Sequence, residues 1–208
     1  MPKVIYIGGG VVPTYRSSAL YNGASVSTFT FSGMAIGPAS PGRLVVLGLV
    51  TTFSTTCTLN GNAMTEYRRP GTGGDSFLRF YVLEWATDTT ADFVITRAAA
   101  VAQLSVAVWS VEGASSAVPA DWDVCGGTIS PPAVVSVQAG DGLIGFASTA
   151  GSPGDHAMVG VSTDFSVDGA FTAYDLGGVA EISAADAAYS VDLSPYVSSA
   201  FVGAIAFR

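Results

Sequence analysis

The side chains that most often perform catalysis are scarce in this sequence. His156 is its one histidine, and it lies beside Asp155 and near Ser152. A hydrolytic triad needs a base held by the fold and a serine nucleophile at a sharp turn, a pattern that residues 151–154 lack. One histidine and two cysteines are also too few for a zinc site. We therefore predict no catalytic residues, no cofactor and no bound metal.

Asp121, Trp122 and Asp123 form the segment best suited to contact a ligand. Two carboxylates beside an exposed aromatic ring could bind a sugar or a calcium ion. The simpler interpretation is that Trp122 anchors a loop onto the fold while the neighbouring acids face water. A third interpretation is that Trp122 contacts another subunit, since aromatic residues are enriched at interfaces. The sequence alone leaves all three open.

Basic residues offer a second candidate site, for docking onto another protein. Arg68 and Arg69 are adjacent in a chain that contains only eight basic residues. The planar fork of arginine suits contact with an acidic partner surface, although a solvated strand end would explain the pair equally simply. Lys3, Arg16 and Arg43 would add to this docking surface if the N-terminal segment lies nearby.

The distribution of charge disfavours several classes of partner. Residues 1–97 contain seven bases and five acids, whereas residues 98–208 contain one base and eleven acids. An acidic half without a basic stripe would repel nucleic acid and anionic membranes. The sequence also shows no apolar segment long enough to span a membrane and no signal-peptide core. We expect no nucleic-acid binding, no membrane insertion, and assembly in a cytoplasm.

The N-terminal segment imitates a nucleotide-binding motif without completing it. Three consecutive glycines, residues 8–10, follow an apolar stretch, as in a dinucleotide-binding turn. That fingerprint needs a further glycine and then a helix, whereas Pro13 stands at that place. We interpret residues 8–24 as irregular. The two cysteines, Cys57 and Cys125, are expected to be buried free thiols, with a disulfide between them left open.

The rest of the chain has the pattern of β-strands. Short segments rich in Val, Ile, Phe, Tyr and Thr alternate with turn residues. Asn60-Gly61 predicts a hairpin, because both central residues of a type I′ turn need a positive φ. Only residues 98–101 and 183–188 could form a helical turn, and residues 113–132 form the longest loop. The prediction is an all-β fold: an antiparallel β-sandwich of jelly-roll type over residues 25–208, with an irregular N-terminal arm over residues 1–24.

Composition suggests a chain that other subunits cover. Of 208 residues, 12% are charged and 49% are hydrophobic, with a mean hydropathy of +0.47. Soluble monomers usually carry more surface charge. Residues 43–51 are apolar on both faces of a predicted strand, whereas one face of a strand in a two-layer sandwich should meet water. We infer a homo-oligomer whose interface covers that face.

Four segments in a fixed order carry a resemblance to a known class of proteins. They are Phe-Thr-Phe-Ser-Gly-Met-Ala-Ile-Gly at 29–37, Arg-Leu-Val-Val-Leu-Gly at 43–48, Thr-Cys-Thr-Leu-Asn-Gly-Asn-Ala-Met at 56–64, and the strand ending in Gly-Ala at 102–114. Their order resembles β-sandwich modules in virion proteins of tailed phages and phage-like particles. The resemblance covers roughly residues 26–115.

The resemblance implies a non-catalytic structural part of a virion, assembled in the host cytoplasm. The expected role is a capsid decoration or cement protein or a head-fibre subunit, docked on major capsid or tail subunits through its N-terminal arm and arginine-bearing half. Residues 4–7 could add a strand to a neighbour, and a trimer is expected by analogy. The alternative functions are a lectin-like carbohydrate-binding module that contacts a host surface glycan, and a tail or receptor-contact protein.

Overall fold

The computed structural model describes residues 10–51, 54–68, 78–126, 132–150, 156–168, 173–195 and 200–208. Within these residues every regular element is a β-strand and every strand pair is antiparallel, which confirms the predicted fold class. The strands are β1 (Val12–Ala35), β2 (Leu44–Val50), β3 (Thr55–Leu59), β4 (Asn62–Ala63), β5 (Thr65–Tyr67), β6 (Leu78–Glu84), β7 (Thr90–Glu112), β8 (Asp121–Gly126), β9 (Ala133–Val137), β10 (Gly142–Ala150), β11 (Ala157–Val159), β12 (Ser162–Asp168), β13 (Ala173–Glu181), β14 (Asp186–Ser194) and β15 (Phe201–Phe207).

The described strands form three sheets. Sheet A follows the order β4-β3-β7-β2-β6-β5, with β1 on the other edge of β7. Sheet B follows the order β12-β13-β10-β15-β8, and sheet C the order β11-β14-β9. Sheet A therefore uses the first half of the chain, and the acidic second half forms sheets B and C.

Strand β7 organises sheet A. One of its edges pairs with β1 along nearly its full length, and its other edge pairs with β3 and then with β2. Residues 98–101, which could have formed a helical turn, instead continue the strand between these two pairings. Strand β7 thus joins the two parts of sheet A without a break.

The predicted irregular arm is wrong for residues 12–24, because these residues belong to β1. Residues 1–9 lie outside the described residues. Small polar residues and Pro13 obscured the strand in the sequence, and the register of β1 on β7 shifts at four places. Such bulges let an irregular sequence remain paired in a sheet. The predicted boundary at residue 24 therefore falls inside a strand.

The sheets stack in three layers. Sheet A curls until β5 approaches β3, which gives a nearly closed, barrel-like sheet with its own apolar interior. Its outer face packs on sheet B, and the opposite face of sheet B packs on sheet C. Large buried side chains of the three cores include Phe29, Phe93 and Tyr81 inside sheet A, Trp109, Phe80 and Phe146 between sheets A and B, and Leu143, Leu176 and Met158 between sheets B and C.

Strand β2 shows why no second subunit is needed to bury a strand that is apolar on both faces. All seven of its residues are buried within the single chain. Val45 and Leu47 point into the interior of sheet A, whereas Val46 packs towards sheet B. The inference that an oligomer interface covers this strand was wrong, because it assumed two layers where the chain builds three.

Gly48 of β2 allows sheet B to approach closely. A Cβ atom at this position would lie 2.7 Å from Cδ1 of Phe146 and 3.0 Å from Cζ3 of Trp109. Any larger residue would therefore push these two rings apart. The absence of a side chain at position 48 brings the central aromatic residues into contact with β2.

The Asn60-Gly61 hairpin is confirmed. Asn60 has a φ of 47° and Gly61 a φ of 81°, the two positive values that a type I′ turn needs. Leu59 pairs with Asn62 across the turn. Cys57, which follows the start of β3, and Cys125 are both buried and are not bonded to each other.

The residues described here contain no helix with the length and apolar character needed to cross a membrane.

Candidate functional site

Trp122 lies at the rim between sheets A and B. It is on β8, the edge strand of sheet B, and its side chain is 40% exposed. Its ring meets the ring of Tyr67 edge-on, with centroids 5.1 Å apart and an interplanar angle of 69°. Burial raises the pKa of Tyr67. Trp122 is thus half anchored on sheet A and half open to solvent.

Asp121 and Asp123 are engaged with backbone amides. Ser136 N donates to Oδ2 of Asp121 at 2.7 Å, and Val134 N donates to Oδ2 of Asp123 at 3.0 Å. The other carboxylate oxygens accept from the amides that follow each aspartate in β8. The two acids therefore join the edge of sheet B to β9 of sheet C, so a sugar or cation at these oxygens would compete with backbone bonds.

Arg16 and Arg68, two predicted docking residues that the structure describes, do not lie on one surface. Arg16 lies beside Gly37 and donates from Nε to Oγ of Ser110 at 2.8 Å, near the start of β2. Arg68 follows β5 at the other end of sheet A and pairs with Glu66 at 3.3 Å. Lys3 and Arg69 lie outside the described residues. Three further arginines of sheet A are buried, so little of its positive charge faces solvent: Arg43, Arg79 and Arg97.

Arg43 is fully buried and its guanidinium is enclosed by backbone carbonyl groups. All three of its nitrogen atoms donate, and the acceptors belong to the two loops that flank the start of β2. The accepting carbonyl oxygens are those of Gly37, Pro38, Trp85, Thr87 and Asp88, at 2.5–3.1 Å. Burial lowers the pKa of Arg43, and the charge of Glu112 opposes that shift. Arg43 therefore connects the two loops by hydrogen bonds and has a structural role.

Arg79 is the centre of a second polar group, at the opposite end of β2. Its strand neighbour across β2 is Leu49, and its side chain is fully buried inside sheet A. Nη1 of Arg79 donates to Oε1 of Glu66 at 2.6 Å and to Oγ1 of Thr55 at 3.3 Å. We name the surrounding residues the Arg79 cluster: Thr51, Thr55, Glu66, Arg68, Arg79, Tyr81 and Arg97.

Other members of the cluster bind one another. The hydroxyl of Tyr81 lies 3.1 Å from Oε1 of Glu66 and is hydrogen-bonded to Oγ1 of Thr55. Burial raises the pKa of Tyr81. Arg97 is 4% exposed and donates from Nε to Oγ1 of Thr51 at 2.6 Å. Burial and the charge of Arg79 lower the pKa of Arg97.

A buried acid lies on the other face of sheet A. Asp175 of β13 is 2% exposed, and the hydroxyls of Ser105 and Ser148 lie beside it. Burial raises the pKa of Asp175 to about 6, while these two hydroxyls oppose the shift. Its Oδ1 atom has no hydrogen-bond partner among the described residues. Asp175 is therefore a proton-binding group between sheets A and B.

The described residues contain no group of three or more His, Cys, Asp and Glu side chains arranged to hold a metal ion. His156, which the sequence placed near Ser152 and Asp155, has Nδ1 2.9 Å from the carbonyl oxygen of Pro195. Residues 151–155 lie outside the described residues. The histidine contacts the backbone next to β14.

Sequence reasoning missed Arg79 and Arg97 as site residues and counted them only as charges. The available signal was a basic residue within an apolar strand, as in Leu78-Arg79-Phe80. A charged side chain in such a strand must find partners or remain costly. Its partners Thr55 and Glu66 come from other strands, which the local sequence could not indicate.

No family model and no curated protein matches this chain. A solved structure of an anti-sigma factor domain-containing protein aligns with a TM-score of 0.26 and 6% sequence identity, over 87% of this chain and 74% of that chain. A similarity at this level carries no argument about fold or function.

Proposed function

We propose that this chain is a non-catalytic structural protein of a phage virion, a capsid decoration or cement protein or a head-fibre subunit. The sequence resemblance and the low content of charged residues support this role. The observation that carries it is the long edge of β1. Among the described strands, β1 forms a backbone ladder only with β7. Its other edge carries no ladder, although the hydroxyl of Ser17 donates to the carbonyl oxygen of Ala35 in the second half of the strand at 2.9 Å.

The edge of β1 suits attachment to another protein by strand addition. An unpaired edge presents a row of backbone donors and acceptors, and proteins usually protect it with charges, prolines or bulges. Arg16 is the only charged residue of β1. The segment 17–22 keeps a regular register with β7 between two bulges. This segment is the proposed docking edge, in place of a single surface of arginines.

The test is incorporation of variants into particles. Leu20 is 38% exposed and lies within the docking edge, so Leu20→Lys should leave the fold intact while opposing strand addition. Val159 is 47% exposed on sheet C, which makes Val159→Lys a matched control. Copy number per particle, relative to the major shell protein, is measured by mass spectrometry of gradient-purified particles.

We expect the original chain and Val159→Lys to be present in a fixed ratio to the shell protein, and Leu20→Lys to be depleted at least tenfold. A ratio near one shell subunit indicates a decoration protein, whereas a small fixed number indicates a vertex, fibre or tail part. Absence of the original chain from particles would refute the virion role. Equal incorporation of both variants would refute the docking edge alone.

A second candidate function, sugar binding, is favoured by one observation, the partly open ring of Trp122. Aromatic faces can pack on sugars, but Asp121 and Asp123 already accept backbone hydrogen bonds. Glycan-array binding that Trp122→Ala abolishes, with unchanged thermal stability, would support this function. Binding that survives the substitution would exclude this site.

A further inference from the structure

Arg79 has donors that nothing in the described structure satisfies. Its Nη1 atom donates to Glu66 and Thr55, but Nε and Nη2 are buried without a hydrogen-bond partner among the described residues. A buried donor left unpaired carries a large desolvation cost, more so when it is charged. A bound ligand that supplies acceptor atoms to these donors would remove this cost.

The two vacant atoms lie on one edge of the guanidinium group. The N–H bonds of Nε and Nη2 are directed to the same side of the planar fork, at the spacing of two oxygens in one anion. Arg208 uses this edge in the same molecule: Nε donates to Oδ1 of Asp141 at 3.0 Å and Nη2 to Oδ2 at 2.8 Å. Arg79 presents the same edge without an acceptor.

Basic side chains outnumber acidic ones among the described residues of the Arg79 cluster. It contains three arginines and one carboxylate, that of Glu66. Glu66 already accepts from Arg79 and Tyr81 and pairs with Arg68. Because Arg79 and Arg97 are buried, water screens their charges poorly. The poorly screened charge of Arg79 therefore favours an added anion at its vacant edge.

We propose that the Nε–Nη2 edge of Arg79 binds an oxyanion that presents two oxygens, either a carboxylate or a tetrahedral phosphate or sulfate. Glu66 and Arg68 are partly exposed, with side-chain exposures of 26% and 38%, and they mark the solvent side of the site. This site does not depend on the proposed virion role, since it lies inside sheet A and uses none of the β1 edge.

Binding is tested on the full chain at pH 7 with inorganic phosphate and, separately, acetate. Each is titrated against chloride at constant ionic strength, and affinity is read from calorimetry and from the rise in Tm. The ¹⁵N–¹H resonance of Arg79 Nε reports contact directly. We expect a saturable response to at least one anion, with a shift of that resonance. A response to phosphate alone assigns a tetrahedral ligand, and a response to acetate alone assigns a carboxylate.

Variants distinguish anion binding by the Nε–Nη2 edge of Arg79 from attraction by its positive charge alone. Arg79→Lys keeps the charge but removes the paired donors, so affinity should fall at least tenfold. Arg16→Lys makes the same change at the other end of sheet A and should bind as the original chain does. No saturable binding of either anion would overturn the proposal, as would equal binding by Arg79→Lys.

Glu66→Gln keeps the test decisive if Arg79→Lys does not fold. Removing the one carboxylate of the cluster should strengthen anion binding several-fold, because a neighbouring negative charge opposes it. An affinity that is unchanged or weaker would place the anion elsewhere and would overturn the proposal.

Discussion

Arg43 and Arg79 stand at opposite ends of β2, and both side chains are fully buried. Arg43 meets five backbone carbonyl oxygens and uses all of its nitrogen atoms. Arg79 meets one carboxylate and one hydroxyl through a single nitrogen, and its other two nitrogens have no partner among the described residues. Two equally buried arginines thus differ in hydrogen bonding: every guanidinium nitrogen donates at one end of the strand, and only one does at the other.

Burial does not by itself assign a role to a charged side chain. Two loops converge on Arg43, and loop carbonyls have no strand neighbour to bond, so the arginine and the loops satisfy each other. Arg79 points into a sheet interior where the backbone is already paired in strands. Among the described residues, Arg79 finds only two acceptors there, the carboxylate of Glu66 and the hydroxyl of Thr55.

Arg43→Met gives the largest expected effect on this comparison. It removes the guanidinium donor from five carbonyl oxygens, and we expect the free energy of unfolding to fall by roughly 3–5 kcal/mol. Urea unfolding measures the change. Arg43→Lys retains charge and some donors and should lose less. A loss below about 1 kcal/mol for Arg43→Met would mean that Arg43 does not hold the loops.

Asp175→Asn tests a buried charge near the Val50 end of β2, on the opposite face of sheet A. The pKa of Asp175 is about 6 in the folded chain, against an unfolded value of about 3.9. The folded state therefore keeps a proton that the unfolded state loses between these values. Stability from this group is fullest below pH 4 and declines by about 2–3 kcal/mol as the pH rises through 6.

The measurement for Asp175→Asn is urea unfolding at pH 4 and pH 8 for both chains. The difference between the two pH values should be smaller in the variant by the amount given above, because asparagine does not ionise. Identical pH dependence in the two chains would show that Asp175 is not buried with a raised pKa.

Arg79→Met should cost less than Arg43→Met although the two side chains are equally buried. The change removes two unpaired donors, which is favourable, and leaves Glu66 partly exposed beside Arg68. We expect a loss of roughly 1–2 kcal/mol, since no fully buried charge is left alone. Urea unfolding without phosphate or acetate in the buffer gives the value. A loss as large as that of Arg43→Met would show that the two arginines contribute equally to stability, contrary to the difference in their hydrogen bonding.

Arg16→Gln is expected to change stability the least. Arg16 donates to Ser110, but its positive charge also acts unfavourably on buried Arg43. The two contributions oppose each other, so stability should change by less than about 1 kcal/mol. Thermal unfolding in low and high salt checks this. A loss of several kcal/mol would show instead that Arg16 is needed to stabilise the region around Arg43.

Local patterns in the sequence predicted local features of the fold. The antiparallel all-β class and the Asn60-Gly61 hairpin follow from strand residues and from a turn that needs two positive φ values. The third layer of strands was not predicted. The apolar pattern of residues 43–51 indicates burial on both faces, but it does not indicate which strands cover them. The loop predicted over residues 113–132 contains β8, which the sequence did not reveal.

The candidate sites depended on distant contacts and were predicted less well. Trp122 has the exposure expected for a contact residue, but the amides that occupy Asp121 and Asp123 come from β9. Arg16 and Arg68 looked like parts of one basic surface, and the register of sheet A separates them. The partners of Arg79 were not readable because they lie 13 and 24 residues away in sequence.

The pairing of β1 with β7 sets the timing of folding during synthesis. Val12 pairs with Glu112, and the pairing runs back to Ala35 with Thr90. At about 5–20 residues per second on the ribosome, β1 waits several seconds for its partner to be made. Contacts of such long range also slow the folding of the finished chain. The apolar strand β2 is released within this interval, so the nascent chain needs protection from aggregation until β7 emerges.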